Sequence, residues 1–342
     1  MREISFFYHL LDKNNNFLKV LGGVQSCSLA CDYGEGTILS GTLRIREDTS
    51  IDWANDRIQP FIKLNGQTTS MGVYVTTYPN KEKYEDIEYR NVGMHSMLVL
   101  LQRDKLEGRT LIAAGTNVIN EVKRLINSNT YTTLRYDITE GAFYSSADAW
   151  YDPGTPKLTV INDLLKSINY VPLYPTRDGK FKSDPYILPI NREKQIEYIA
   201  GRGCIMHKQA KEVKNLYDIP NVYIRYTNNA QINPPLISKY ENDNPNSPTS
   251  TVNAPRNVDA KTVSGVTDQN TLNAVCKKDA YNGSQIYSDL LISTAINPNH
   301  WVNSCVWVDY HDGGHKYIGS SWKMDLKVGG EMSHSLRRVV VI

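Results

Sequence analysis

From Leu39 to Arg46 the chain alternates strictly. Leu39, Gly41, Leu43 and Ile45 fall on one side, and Ser40, Thr42, Arg44 and Arg46 on the other. A period of two places one face of a strand in a core and the other in water. Stretches of the same kind recur at short intervals, which limits the fold more than any other feature. Asp32-Tyr33-Gly34-Glu35-Gly36 is a turn-rich break before the alternating stretch. Residues 57–64 lead into Asn65-Gly66 and then Met71 to Thr76, a strand, turn and strand that predict a hairpin. Ile87-Glu88-Tyr89 and Met97 to Leu101 read as two further strands. Short strands in series with close turns predict a small barrel or sandwich over residues 1–100.

The pattern changes after residue 100. Thr116 is placed to cap a helix carrying Val118, Ile119, Val122, Leu125 and Ile126. Thr155-Pro156 is a second helix start, because proline in the first turn loses no needed hydrogen bond. Behind it Leu158, Ile161, Leu164, Leu165 and Ile168 share one face at helical spacing. Val171 to Pro175 and Lys180-Phe181 read as strands joined by Arg177-Asp178-Gly179. Residues 101–203 are therefore an α/β insert of ordinary domain size.

Strands resume in residues 204–342, expected to form a second β-barrel with a loop and helix insertion at about 228–291. Val222, Ile224 and Tyr226 alternate with Tyr223 and Arg225. Residues 228–256, rich in Asn, Pro and Ser, read as loop. Residues 268–291 read as a helix with Leu272, Val275, Cys276, Ile286 and Leu290 apolar, weakened at Asn282-Gly283. Strands are expected at Cys305 to Tyr310, Lys316 to Leu326 and Ser335 to Val341. The fold class is mainly β with an α/β insert, at a length of 342 residues that predicts two or three domains.

Hydrophobic residues make up 40% and charged residues 22%, a globular composition. A net charge of +2 without a basic stripe argues against stable, sequence-specific nucleic-acid binding. No run approaches the roughly 20 apolar residues of a membrane span, and the N-terminus does not read as a signal peptide, so cytoplasmic synthesis is expected. Five cysteines, an odd count, predict free and mostly buried thiols. Tyrosine is abundant, 22 against 6 phenylalanines, which suits both strands and surfaces buried against a partner.

Motifs of catalysis are missing from the sequence. Gly34-Glu35-Gly36 lacks the third glycine of a dinucleotide site, and neither a phosphate loop nor a Gly-x-Ser-x-Gly elbow occurs. His311 and His315, with Asp309 and Asp312, are the metal-ligand candidates. Their Asp312-Gly313-Gly314 spacer predicts a hairpin tip and not a zinc-binding helix turn. Cys27 and Cys31 with Cys204 and His207 have ligand types suited to zinc, but the first pair reads as strand. The expectation is no catalytic residue, no metal and no cofactor.

The order of these features resembles the baseplate hub and tail-tip proteins of long-tailed bacteriophages, including the N-terminal region of tail-associated lysins. The matching stretches include Asp56 to Tyr74, Tyr89 to Gln102, Asn162 to Pro189, the loop Asn242 to Ser250, and Tyr317 to Val340. The resemblance implies a structural virion protein and not an enzyme. It implies a homotrimeric ring in which each chain gives two small β-barrels, so that three chains mimic six-fold symmetry. Such a ring closes the distal end of the tail tube and anchors the host-recognition tip. Its implied partners are the distal tail ring protein, the tape measure protein and receptor-binding or tail-fibre proteins, without membrane insertion. Its implied place is the virion tail tip, assembled in the host cytoplasm. Asn244, Pro245, Asn246, Ser247 and Pro248 form the candidate assembly loop. Longer members carry C-terminal enzymatic or receptor-binding domains, and with the chain ending at Ile342 no cell-wall-cleaving activity is expected here. A cell-wall hydrolase and a carbohydrate-binding adhesin are the alternative readings.

Overall fold

A computed structural model describes the chain apart from residues 1, 35, 78, 146, 202, 215–217, 228–233, 264–265, 267, 285–287, 311–312 and 341. The first region supplies β1 (Ile4–Leu11), β2 (Phe17–Val20), β3 (Val24–Asp32), β4 (Leu39–Arg46), β5 (Arg57–Leu64), β6 (Gln67–Ser70), β7 (Tyr74–Thr76), β8 (Asn80–Tyr84) and β9 (Ile87–Ser96). The middle holds α1 (Leu98–Arg103), β10 (Thr110–Ile112), α2 (Val118–Asn127), β11 (Tyr136–Ile138), β12 (Ala149–Tyr151), α3 (Lys157–Ser167), β13 (Tyr174–Pro175) and β14 (Phe181–Ser183). A 3-10 turn at Pro189–Asn191 and β15 (Ile196–Ile199) follow. The last part contains β16 (Met206–Lys214), β17 (Val222–Tyr226), β18 (Ile237–Glu241), β19 (Val258–Thr262), α4 (Gln269–Ser284), β20 (Ser288–Ala295), β21 (Cys305–Asp309), β22 (His315–Asp325) and β23 (Glu331–Arg338).

The molecule is mainly β with an α/β insert. Among the described residues one 15-stranded sheet runs β16-β20-β23-β22-β3-β4-β9-β7-β5-β1-β2 along its main path. The link between the two β-rich regions is β22. Its first half pairs with β21, from Val308↔His315 to Cys305↔Ile318, and its second half with β3, from Ser321↔Asp32 to Asp325↔Ser28. A register shift against β23 between Gly319 and Ser321 marks the changeover, as expected where a bulge bends a strand. The side chains follow: Trp322, Met324 and Met332 join the core of the first region, while Tyr317 and Leu336 join a second core with Tyr198, Leu290 and Val306.

A hairpin turns at Asn65-Gly66 as expected, but its second strand is β6 and not Met71 to Thr76, of which only Tyr74–Thr76 is strand, as β7. Both residues have positive φ, 49° and 86°, which matches the twist of β5 and β6. Gly41 is needed for close packing, because a Cβ there would lie 2.6 Å from the Ser28 carbonyl and 2.9 Å from Met94. In the insert, α2 and α3 pack their apolar faces together, and the short sheets β10-β12 and β11-β14-β13 belong to the same region.

Several expectations need correction. Met97 to Leu101 is not a strand: Leu98 opens α1, and Leu98, Val99 and Leu101 are buried. A short all-apolar run carries no periodicity to separate buried strand from buried helix. The cap of α2 is Asn117, whose side chain accepts from the Asn120 amide, and not Thr116. The stretch 228–256 contains β18, which pairs with β17. The helix in 268–291 ends at Ser284 and Leu290 lies in β20, while Ile286 falls outside the described residues.

Asn282-Gly283 lie in the last turn of α4, whose described residues reach Ser284. Tyr223 packs closely on Gly283, its hydroxyl only 2.4 Å from where a Cβ would sit. The helix covers the small sheet β18-β17-β19 and is held there by Arg225, which is 2% exposed. The Arg225 guanidinium donates to Asp279 at 2.6 Å and to Asp259 at 2.9 Å, so the buried charge is paired on both sides.

Candidate assembly surfaces

Among the described residues the main path of the sheet ends at β2 and β16. A free edge presents unpaired backbone groups to any neighbouring chain. The β2 edge is also apolar: Phe17 is 56% exposed, Leu18 49% and Val20 56%. Beside it the outward residues of β1 and β5 build a ladder of rings. Phe7 stacks on Phe61 at 4.9 Å with the planes 3° apart. His9 lies 4.5 Å from Phe61 and 4.8 Å from Phe17. Cross-strand ring pairs of this kind stabilise a sheet, and they also leave an apolar ridge next to the open edge. The sequence alternation locates Phe7 and His9 opposite the buried Tyr8 and Leu10; it does not show that β2 ends the sheet.

A second surface is a shallow trough of about 940 Å³ across five neighbouring strands. The registers place Lys211, Leu291, Ser335, Ser321 and Asp32 in one row, and Ser293, Ser333, Lys323 and Ala30 in the next. Small residues dominate, and the charges are few and of both signs.

The loop from Asn242 to Ala254 is organised from within. Asn242 is buried, and its side chain donates to Ser247 Oγ at 2.9 Å and to Thr249 Oγ1 at 3.3 Å. Asn253 ties back to the Pro245 and Ser247 carbonyls at 2.8 and 2.9 Å. Ser247, Thr249 and Ser250 are buried, while Pro245, Asn246 and Pro248 are exposed with Val252. The loop thus presents fixed apolar and amide groups on its outside.

His315 lies at the start of β22 with Arg338 donating to its ring at 3.0 Å; His311 and Asp312 lie outside the described residues. Cys27 and Cys31 are buried in the first core, and Cys204 packs against the second. Burial pushes the Cys27 thiol up to about 12. Among the described residues no three His, Cys, Asp or Glu side chains gather as a metal site. No helix among them is long and apolar enough to cross a membrane.

A buried polar group that sequence reading missed lies in the second core. His300 and His334 stack 4.6 Å apart. Tyr198 hydroxyl meets His300 Nδ1 at 3.1 Å, Thr294 Oγ1 meets His334 Nε2 at 2.9 Å, and Asn297 donates to the Tyr198 hydroxyl at 3.3 Å. Burial drives both imidazoles to the neutral form, with His334 lowered to about 3. Only the alternation of β23, which sets His334 on the side of Met332 and Leu336, carried any signal of this in the sequence.

No protein-family profile matches the chain, and no curated protein matches it by sequence. Its fold is matched by a tail protein from Neisseria meningitidis MC58, with TM-score 0.70 at 11% identity over 97% of this chain and 96% of that one. The chain has the fold of phage tail proteins. The 43 kDa tail protein of prophage MuSo2 from Shewanella oneidensis matches at TM-score 0.66 and 8% identity, covering 97% of this chain and 98% of the other. An E. coli component of the type VI secretion system, described as similar to the T4 tail proteins gp27 and gp5, matches at 0.55 and 10% over 97% and 77%. The tail-protein fold thus extends over both β-rich regions and the insert.

Proposed function

We propose that the chain is a structural subunit of a tail-tip hub and not an enzyme. The observation that carries this reading is the match, over nearly all of this chain, to nearly all of two tail-protein structures. In this reading the chain forms a homotrimer whose two β-rich regions, 1–100 and 204–342, alternate around a ring, with 101–203 outside it. The ring adapts six-fold to three-fold symmetry, closes the distal end of the tail tube and anchors the host-recognition tip. Its neighbours are the distal tail ring, the tape measure and receptor-binding or fibre proteins, within a virion assembled in the host cytoplasm.

The surfaces suit this role. The β2 edge and its ring ladder supply an apolar, aromatic contact of the kind that permanent interfaces bury. The small-residue trough, with mixed charge, offers a wall along which a passing polymer finds no basic track to hold it. The loop Asn244 to Pro248 is a pre-shaped contact for a tail partner, since its hydrogen bonds remove the entropy cost of ordering it on binding.

Light scattering or native mass spectrometry of the purified chain tests the reading. A particle of about 116 kDa, three times the 38.7 kDa chain, is expected, with rings visible in images. A monomer that stays monomeric when mixed with its distal tail ring protein overturns it.

A further inference from the structure

A cleft of about 700 Å³ separates the insert from the second β-rich region. The Asn162-to-Lys166 turn of α3 lines one wall, and Lys278 and Asn282 of α4 the other. Lys278 is 8% exposed and yet lines this space. Its ammonium lies 5.2 Å from the centre of the Tyr186 ring, a cation–π contact that leaves its hydrogens free. Lys166 lines the cleft from the opposite wall. Among the described residues neither ammonium has a hydrogen-bond or ion-pair partner. The neighbouring cations differ: Lys182 is shared between Asp137 and Asp184, and Arg337 meets Asp289.

We propose that this cleft is a docking site for an acidic segment of another protein, whose carboxylates neutralise Lys166 and Lys278. Asp279 and Asp163 offset the two charges only from a distance, without an ion pair, so a carboxylate seated between the lysines adds a favourable contact. Burial pulls Lys278 down to about 8, with Lys166 adding repulsion and Asp279 opposing both, so a carboxylate beside the ammonium would hold its charge more firmly.

The rest of the cleft defines the occupant. Ile187, 57% exposed, and Pro185 form an apolar lip, which calls for an aliphatic side chain beside the acid. Asp163 and Asp184 also line the space, so the occupant must carry only a few carboxylates, spaced to reach the two lysines, which disfavours a dense polyanion such as nucleic acid. Two of the hydroxyls that could read a sugar are engaged: Tyr174 donates to Asp184 at 2.9 Å and Tyr186 to Asn282 at 2.8 Å.

The test is calorimetric titration of the full chain with the peptide acetyl-Ile-Glu-Ala-Asp-amide. Its neutral counterpart acetyl-Ile-Gln-Ala-Asn-amide and N-acetylneuraminic acid are the comparisons. The acidic peptide is expected to bind, with affinity roughly tenfold lower for the neutral peptide and for either K278M or K166Q. Lys166 is exposed, so K166Q keeps the test valid if K278M folds poorly. Absent binding, equal binding of the neutral peptide, unchanged binding in both variants, or binding of the sugar acid alone each overturns the proposal. Native mass measured on the same samples separates this result from the hub reading, since a trimer that ignores the peptide defeats only the docking site.

Discussion

The guanidinium of Arg177 lies over the indole of Trp301, 4.3 Å from the ring centre. Arg177 belongs to the turn of the insert, and Trp301 to the segment between β20 and β21. The same guanidinium donates to the Ser70 carbonyl at 2.9 Å and to the Pro298 carbonyl at 2.6 Å. Trp301 Nε1 returns a bond to the Pro175 carbonyl at 3.3 Å. One side chain therefore fastens the insert to both β-rich regions.

Removing it should loosen all three parts together. Arg177→Ala leaves two carbonyls without their donor and removes the ring contact, a loss of about 2–4 kcal/mol. Urea denaturation followed by tryptophan fluorescence and by far-ultraviolet circular dichroism measures it. A change below about 0.5 kcal/mol, the range of ordinary surface substitutions, would show that the clamp carries no stability.

The buried histidine pair makes stability depend on pH. His300 is held well below 6.5 by burial and by the neighbouring His334 and Arg177, and His334 falls to about 3 by burial. Their folded-state values lie below the unfolded ones, so the unfolded chain binds more protons between about 3 and 6.5. The stability of the neutral pair is whole above pH 6.5 and declines as pH falls through that window. At pH 5 the protonation of His334 in the unfolded chain should have withdrawn about 2 kcal/mol, and His300 acts in the same direction. Thermal melts at stepped pH measure the decline, and H334Q should flatten the curve by one proton. A curve of unchanged slope in H334Q would remove His334 from the account.

Gly283 offers a test with an internal control. Alanine normally strengthens a helix interior by about 1 kcal/mol over glycine. Here its Cβ would fall 2.4 Å from the Tyr223 hydroxyl, so G283A should destabilise by about 1–3 kcal/mol instead. Removing that hydroxyl with Y223F in the same chain should restore most of the loss. A stabilised G283A measured by chemical denaturation would contradict the packing of α4 on β17.

These cases show where sequence is and is not informative. Strands with one wet face, such as β3 and β4, were legible because burial repeats every second residue. So was the turn at Asn65-Gly66, whose residues fit left-handed backbone. The run Met97 to Leu101 was not, because a segment buried all round has no period. At Gly283 the poor local propensity was legible, but the ring from β17, 60 positions earlier in the chain, that packs on it was not. The ring ladder and the Lys166–Lys278 cleft depend on pairings between remote segments, which no local pattern encodes.

The β2 edge gives the sharpest test of assembly. Phe17, Leu18 and Val20 contribute little to the monomer's core, since all three are at least 49% exposed. A charge on this strand therefore leaves the fold almost untouched, with an effect within about 0.5 kcal/mol. At an interface the same charge is desolvated and unpaired, which costs several kcal/mol for each contact. F17D should accordingly keep its melting temperature as a monomer while losing oligomers in light scattering. Substituting Val258, also exposed but on β19 of the small sheet, provides the comparison: V258D should leave the oligomer intact. An F17D protein that assembles as well as the parent would show that the ring, if formed, is closed by another surface, and β16, the opposite free edge, would then be the place to introduce the charge.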